Sequence, residues 1–185
     1  TGGMVTHFGI SLTFGIAVTL MIIAFGKYSG AHLNPAVTLS FAYLKLFEKK
    51  NIVNYIVVQL LGGIAASVIL KLIFSRHASL GNTIPNGNVW VSFTLELVLT
   101  FVLMLVILLF SQSKKSVHQF TAYAIGLTVG LEAFFAGSIC GASMNPARSI
   151  APSIVSGNTT FLWIYITAPI LGALLASFIW KKQTN

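Results

Sequence analysis

The chain has 185 residues, of which 56% are hydrophobic and only 8% are charged. A soluble domain has about 25% charged residues, so this composition excludes an ordinary soluble protein and predicts a surface covered mostly by lipid. The net charge of +8 does not indicate a nucleic-acid partner, because the basic residues form short clusters between apolar segments instead of one basic face.

The residues that carry enzymatic or metal chemistry are sparse. A single cysteine, Cys140, excludes an internal disulfide and a cysteine-built metal site. The four histidines show no ligand spacing, and the sequence contains neither a Ser/His/Asp set nor a phosphate-binding loop. We therefore expect no cofactor, no metal and no catalytic activity.

Five segments have the length and apolar character of membrane-spanning helices, which need about 20 mostly apolar residues. Their centres lack Asp and Lys, and Glu96 and Glu132 are the two acidic exceptions. The five predicted spans run from Phe8 to Phe25, Ile52 to Phe74, Val89 to Phe110, Phe120 to Gly137, and Phe161 to Trp180.

Two further apolar segments, Pro35 to Leu46 and Pro146 to Val155, are too short to cross a membrane. Each opens with Asn-Pro-Ala. Asparagine is a strong N-cap, and proline is well tolerated at the first helical position. Both segments are predicted to be half-helices that begin near mid-membrane, where non-helical backbone must be buried in protein or line a wet cavity.

The two half-helices belong to an internal repeat. Residues 29–36 read SGAHLNPA and residues 140–147 read CGASMNPA, with three predicted spans between them. An odd number of spans makes the two motifs enter from opposite faces, which is an inverted repeat. We predict one all-α domain over residues 1–185, with a first half-repeat at 1–80, a second at 89–182, and a further span before Phe8 that would complete six.

The lysines predict an orientation. Short loops on the cytoplasmic side carry an excess of basic residues, and one topology places eight lysines and the C-terminus on that side. Three tryptophans, Trp90, Trp163 and Trp180, occur at span ends, as in an interfacial belt. The eight lysines are Lys27, Lys45, Lys49, Lys50, Lys114, Lys115, Lys181 and Lys182.

The paired motifs suggest a mechanism. Two half-helices that meet head to head bring two positive dipole ends together at mid-membrane, and the amides of Asn34 and Asn145 could donate hydrogen bonds into a lumen. Such a site attracts water oxygens and repels cations, including protons carried along a water chain. Arg148 would add to cation exclusion. The alternatives are that each Asn-Pro merely caps a helix, and that Arg148 pairs with a carboxylate.

Residues 29–38 (SGAHLNPAVT) and 141–149 (GASMNPARS) resemble the two signature loops of the aquaporin, or major intrinsic protein, family. The resemblance covers essentially the whole chain and is strongest to the nodulin-26-like branch and its bacterial and archaeal relatives. It implies a passive channel in the plasma membrane that forms a homotetramer with one pore per subunit. The implied pore motifs are Asn34, Pro35, Ala36, Asn145, Pro146 and Ala147.

The family's selectivity filter has four positions, which fall on Phe14, Ala133, Ala142 and Arg148. Strict water channels usually carry histidine in place of Ala133, and glycerol channels usually carry aspartate in place of Ser149. The chain departs from both patterns. The resemblance therefore implies a pore for water and small neutral solutes such as glycerol, urea or uncharged metalloid acids. A strict water channel and, more remotely, a secondary transporter with broken helices are the alternatives.

Three polar residues near the motifs have predicted supporting roles. Glu96 is expected to accept hydrogen bonds from the second re-entrant loop, whose amides need acceptors. Glu132 either pairs with loop amides or edges the pore. His32 has a packing or hydrogen-bonding role, with pH gating as the alternative. Close helix crossings are predicted at Gly15, Gly62, Gly63, Gly126, Gly130 and Gly172.

Overall fold

The computed structural model describes residues 5–75, 79–114 and 118–184. This part of the chain is helical, without strands, and confirms the all-α prediction. Its α-helices are α1 His7–Ser29, α2 Pro35–Tyr43, α3 Ile52–Ile73, α4 Val89–Ser111, α5 Thr121–Cys140, α6 Pro146–Ser156 and α7 Leu162–Thr184, and a short 3-10 helix, Lys49–Asn51, precedes α3. Five of them, α1, α3, α4, α5 and α7, are long and apolar enough to cross a membrane. The further span before Phe8 stays a prediction, and Lys115 lies outside the described residues.

The short helices α2 and α6 have 9 and 11 residues and begin at the prolines of the two motifs. Asn34 and Asn145 precede them in extended conformation, with φ values of −155° and −150°. Each side chain accepts a hydrogen bond from a backbone N–H of the first turn, as an N-cap should. The two predicted half-helices are therefore present.

The loops that lead into the half-helices repeat the same backbone conformation. Ala31 and Leu33 have φ values of 43° and 53°, and Ala142 and Met144, 111 positions later, have 41° and 54°. Non-glycine residues in this left-handed region are uncommon and cost about 1–3 kcal/mol each. The repeated strain shows that both loops are held in the same shape by their surroundings.

Four of the five long helices pack in pairs, with α1 against α5 and α4 against α7, and α3 packs against the half-helix α6. The α1–α5 crossing is close because an added Cβ at Gly15 would lie 2.7 Å from the carbonyl oxygen of Gly126. Gly63 likewise lies against Ala151 of α6. Gly62 does not fit the prediction, since an added Cβ there meets no atom within 4 Å.

Large apolar side chains cover the outside of the bundle, and α1 and α3 have the fewest buried residues of the long helices. This surface suits lipid or further helices. An open groove of about 950 Å³ runs between α1 and α3.

The contact of Gly172 in α7 with Leu97 in α4 provides a stability test. An added Cβ at Gly172 would overlap the carbonyl oxygen of Leu97, so Gly172→Ala should force the helices apart and lower the free energy of unfolding by about 1–3 kcal/mol. Denaturant unfolding of the detergent-solubilised protein measures this change in the free energy of unfolding. Gly26→Ala is the control, because its Cβ meets only Ile22 at 3.6 Å. Equal destabilisation by both changes would contradict the close-crossing interpretation.

Candidate functional site

The two half-helices are joined at their N-termini by a reciprocal pair of hydrogen bonds. Asn34 Nδ2 donates to the carbonyl oxygen of Met144 at 2.7 Å, and Asn145 Nδ2 donates to the carbonyl oxygen of Leu33 at 2.7 Å. Each asparagine thus binds the residue that precedes the other asparagine. The two re-entrant loops meet inside the bundle, and each motif holds the other in place.

Each asparagine side chain has a second set of contacts with its own helix. Asn34 Oδ1 accepts from the N–H of Ala36 at 2.9 Å, and Asn145 Oδ1 accepts from the N–H groups of Ala147 and Arg148 at 3.0 and 3.4 Å. These contacts fix the orientation of both amides. Since an amide nitrogen carries two hydrogens, one hydrogen of each asparagine is committed to the opposite loop and the other is left for the cavity described next.

A cavity of about 160 Å³ extends past both asparagines. One part of its wall is polar backbone from the two re-entrant loops, and the rest is mainly apolar side chains of α1, α4 and α5. All four residues predicted for the filter, Phe14, Ala133, Ala142 and Arg148, line this cavity, as does His32. The structure therefore brings together the residues that the sequence assigned to one pore.

Arg148 is fixed by two neighbours that are both uncharged. Its Nη1 donates to the carbonyl oxygen of Gly81 at 2.8 Å, and its guanidinium carbon lies 5.1 Å from the ring centre of Phe14. Among the described residues the only ion pair joins Lys50 and Glu48. The alternative in which a carboxylate pairs with Arg148 is thus not seen, and its positive charge faces the cavity.

Glu96, on α4, holds the second re-entrant loop. Its two carboxylate oxygens each accept one backbone hydrogen bond at 2.8 Å, from the N–H groups of Ser143 and Met144. The side chain is fully buried. These bonds satisfy two loop amides that no helix satisfies, which is the supporting role predicted for Glu96.

Glu132 does not have the contacts predicted for it. Both of its carboxyl oxygens are buried without a hydrogen-bond partner among the described residues, so the pairing with loop amides is not seen. The residues that line the cavity include its neighbour Ala133 but not Glu132, because successive residues of a helix point in different directions. The geometry gives Glu132 neither of the two predicted roles.

His32 lies in an aromatic pocket at the first re-entrant loop. Its ring centre is 4.8–5.0 Å from those of Phe41, Phe47 and Tyr55. Its Nδ1 lies 3.1 Å from Thr38 Oγ1. These contacts agree with the packing and hydrogen-bonding role.

Several contacts at the site involve residues that were not singled out from the sequence. Tyr55 donates its hydroxyl hydrogen to the carbonyl oxygen of Ser29 at 2.9 Å, and Tyr165 donates to that of Cys140 at 2.7 Å. Each tyrosine thereby ties the last residue of the span that precedes a re-entrant loop to the span that follows the loop's half-helix. The repeat could have revealed this pair, since the tyrosines are 110 positions apart and the motifs 111. The sequence has no such signal for the role of the Gly81 carbonyl oxygen as the acceptor for Arg148.

A family model, "Major intrinsic protein", matches residues 2–180. The chain belongs to the major intrinsic protein family. Among its relatives are Nodulin-26 of Glycine max, 39% identical over 96% of the chain, and Aquaporin NIP1-1 of Zea mays, 38% identical over 97%. A third, the Probable aquaporin NIP-type of Nicotiana alata, is 42% identical over 97%. The resemblance to the nodulin-26-like branch is thereby confirmed.

The chain spans about two thirds of the length of these relatives, between 64% and 67%. A solved structure, the aquaglyceroporin from Plasmodium falciparum, matches 95% of the chain and is itself covered over 82%, with a TM-score of 0.86 and 24% identity. This likeness supports the family fold alone.

The two buried glutamates give a matched test of loop support. Glu96→Gln replaces one acceptor oxygen by an NH₂ group that faces a loop N–H, and leaving a buried donor unsatisfied costs about 1–3 kcal/mol. Glu132→Gln removes no hydrogen bond seen in the structure. Thermal unfolding should therefore show a lower midpoint for Glu96→Gln and an unchanged or raised midpoint for Glu132→Gln. The reverse order would contradict both assignments.

Proposed function

We propose that the cavity is part of a transmembrane pore that passively conducts water and small neutral solutes. The observation that carries this proposal is the meeting of two inverted half-helices, through reciprocal asparagine bonds, on the wall of one cavity. Membership of a family whose named relatives include aquaporins supports it. A helix cap alone would not explain why each amide binds the opposite loop.

The rejection of ions follows from the charges at the cavity. The N-termini of α2 and α6 present partial positive charge at the two asparagines, and Arg148 adds a full positive charge on the same wall. A cation that enters would lose hydration next to the positive ends of both half-helices and the charge of Arg148. A water molecule can instead turn its oxygen toward the free amide hydrogens of Asn34 and Asn145. This orientation also interrupts the chain of hydrogen-bonded water molecules along which a proton would move.

The small side chains at the constriction favour a pore that admits more than water. Ala133 and Ala142 are two of the four predicted filter residues, and neither fills the cavity next to Arg148 and Phe14. An apolar, wider constriction accepts solutes with some carbon surface, such as glycerol or urea. We extend this proposal to uncharged metalloid acids, which are of similar size and also neutral.

We also propose an orientation of the pore in the membrane and an oligomeric state. The lysine clusters support a topology in which the C-terminal ends of α1, α2, α4 and α7 lie on the cytoplasmic side of a plasma membrane. The family resemblance supports a homotetramer with one pore per subunit. The four-position filter and the division into half-repeats at 1–80 and 89–182 belong to the same proposal.

Stopped-flow light scattering of proteoliposomes that contain the full-length protein tests this function. A sucrose gradient should shrink the vesicles several-fold faster than protein-free liposomes, and a glycerol gradient should give shrinkage followed by re-swelling. Water flux equal to that of empty liposomes would overturn the proposal. Water flux without glycerol flux would leave a strict water channel.

A change at Ala133 tests the width of the constriction. Ala133→His adds a ring to a cavity of about 160 Å³, so glycerol re-swelling should be lost while water flux persists. Ala133→Ser, which adds one hydroxyl group, serves as the control and should keep both fluxes. Unchanged glycerol re-swelling in folded Ala133→His would contradict the placement of Ala133 at the constriction.

A further inference from the structure

A row of three buried hydroxyl groups joins the segment between α3 and α4 to the start of α6. Thr83 Oγ1 lies 2.6 Å from Ser149 Oγ, which lies 2.5 Å from Ser143 Oγ. Ser143 Oγ donates to the carbonyl oxygen of Asn145 at 3.0 Å. The three side chains are at most 5% exposed, so water does not compete for these bonds.

The hydrogens of this row have only one consistent arrangement. Each hydroxyl group has a single hydrogen to donate. Because Ser143 uses its hydrogen on the Asn145 carbonyl, Ser149 donates to Ser143, and Thr83 in turn donates to Ser149. The row thus runs in one direction, from the connecting segment to the pore motif, and Thr83 is its first donor.

The same segment, residues 79–88, carries the group that orients Arg148. The Gly81 carbonyl oxygen accepts from Arg148 Nη1 at 2.8 Å. Arg148 and Ser149 are adjacent in α6, and Gly81 and Thr83 are two positions apart. The two hydrogen bonds are therefore neighbouring links between the same two pieces of backbone, and the Thr83 hydroxyl fixes where the Gly81 carbonyl lies relative to α6.

A second anchor keeps the segment on α6 independently of Thr83. Asn82 Oδ1 accepts from Ser153 Oγ at 2.6 Å, and Asn82 Nδ2 donates to the carbonyl oxygen of Asn158 at 2.8 Å. These bonds do not involve the hydroxyl row. Loss of the Thr83 hydroxyl should consequently shift the segment without releasing it from the protein.

We propose that Thr83, acting through Ser149, is a positioning residue for the solute selectivity of the pore. The inference rests on the proposed function. The Gly81 carbonyl holds one nitrogen of the Arg148 guanidinium, which also lies over the Phe14 ring. When the segment can shift, the guanidinium loses its fixed acceptor, and the constriction admits larger neutral solutes while water still passes.

The first half-repeat contains a matching hydroxyl that is not linked to Arg148. Thr38, 111 positions before Ser149, donates to the Asn34 carbonyl, and its Oγ1 contacts His32 Nδ1 and Gln59 Nε2 at 3.1 and 3.0 Å. The side-chain partner of Thr38 is thus Gln59 of α3, whereas the corresponding partner of Ser149 is Thr83 of the segment between α3 and α4. Thr38 therefore offers a control threonine that is also buried and that occupies the position equivalent to Ser149.

The experiment compares Thr83→Val, Thr83→Ser and Thr38→Val in proteoliposomes of the full-length protein. Valine keeps the shape of threonine without the hydroxyl, and serine keeps the hydroxyl without the methyl. The readouts are the thermal unfolding midpoint and the ratio of glycerol to water permeability. Thr83→Val should raise the ratio by about threefold or more, the order expected when one neutral hydrogen bond is lost. Thr83→Ser should keep the wild-type ratio, and Thr38→Val should lower the midpoint without changing the ratio.

An unchanged ratio in folded Thr83→Val overturns the proposal, and so does an equal rise in Thr38→Val, which would indicate a general loss of packing. If Thr83→Val does not fold, Ser149→Ala removes the acceptor of the same bond and must raise the ratio in the same direction, or the proposal fails. Wild-type protein that conducts neither water nor glycerol would instead refute the proposed function, and the inference with it.

Discussion

The reciprocal hydrogen bonds between the two motifs are the interaction on which the rest of the structure depends. Asn34 and Asn145 each cap their own helix with the side-chain oxygen and bind the opposite loop with the nitrogen. A short helix that ends inside a bilayer is unfavourable, because its first N–H groups have no partner and lipid supplies none. Each asparagine oxygen caps first-turn N–H groups of its own helix, and the opposite loop holds that asparagine in place by accepting a hydrogen bond from its nitrogen.

This arrangement also accounts for the strain in the loops. Leu33 and Met144 hold left-handed φ values of 53° and 54°, and their carbonyl oxygens are the acceptors of the reciprocal bonds. The strained backbone conformation of each loop is thus the one that presents the acceptor carbonyl to the asparagine of the opposite motif. Glu96 adds support on one side only, since it binds the second loop.

The two motifs differ in the partners of their equivalent hydroxyl groups, at the place where we propose that solutes are selected. Thr38 and Ser149 occupy equivalent positions and both donate toward the loop of their own motif. The partner of Thr38 is Gln59 in a span, whereas the partner of Ser149 is Thr83 in a connecting segment. Symmetry therefore accounts for the proposed ion barrier at the centre, and the departure from symmetry accounts for the proposed place of the constriction.

Much of the fold followed from the sequence because its signals are local. The length of the apolar segments predicted five spans, and Asn-Pro at two positions predicted the half-helices, which the structure has at Pro35–Tyr43 and Pro146–Ser156. Contacts between distant segments were harder. Within the described residues, Glu132 has no hydrogen-bond partner and Gly62 has open space beside it, and both depend on how each helix is rotated. The acceptor role of Gly81 depends on a loop with no periodic pattern.

The central claim is that one site passes water and repels cations. It is tested most directly by measuring osmotic water permeability and proton flux in the same proteoliposomes, with a pH-sensitive dye inside the vesicles. Water flux should be well above that of protein-free liposomes, with proton flux at the protein-free level. Proton flux that rises in proportion to water flux would contradict it.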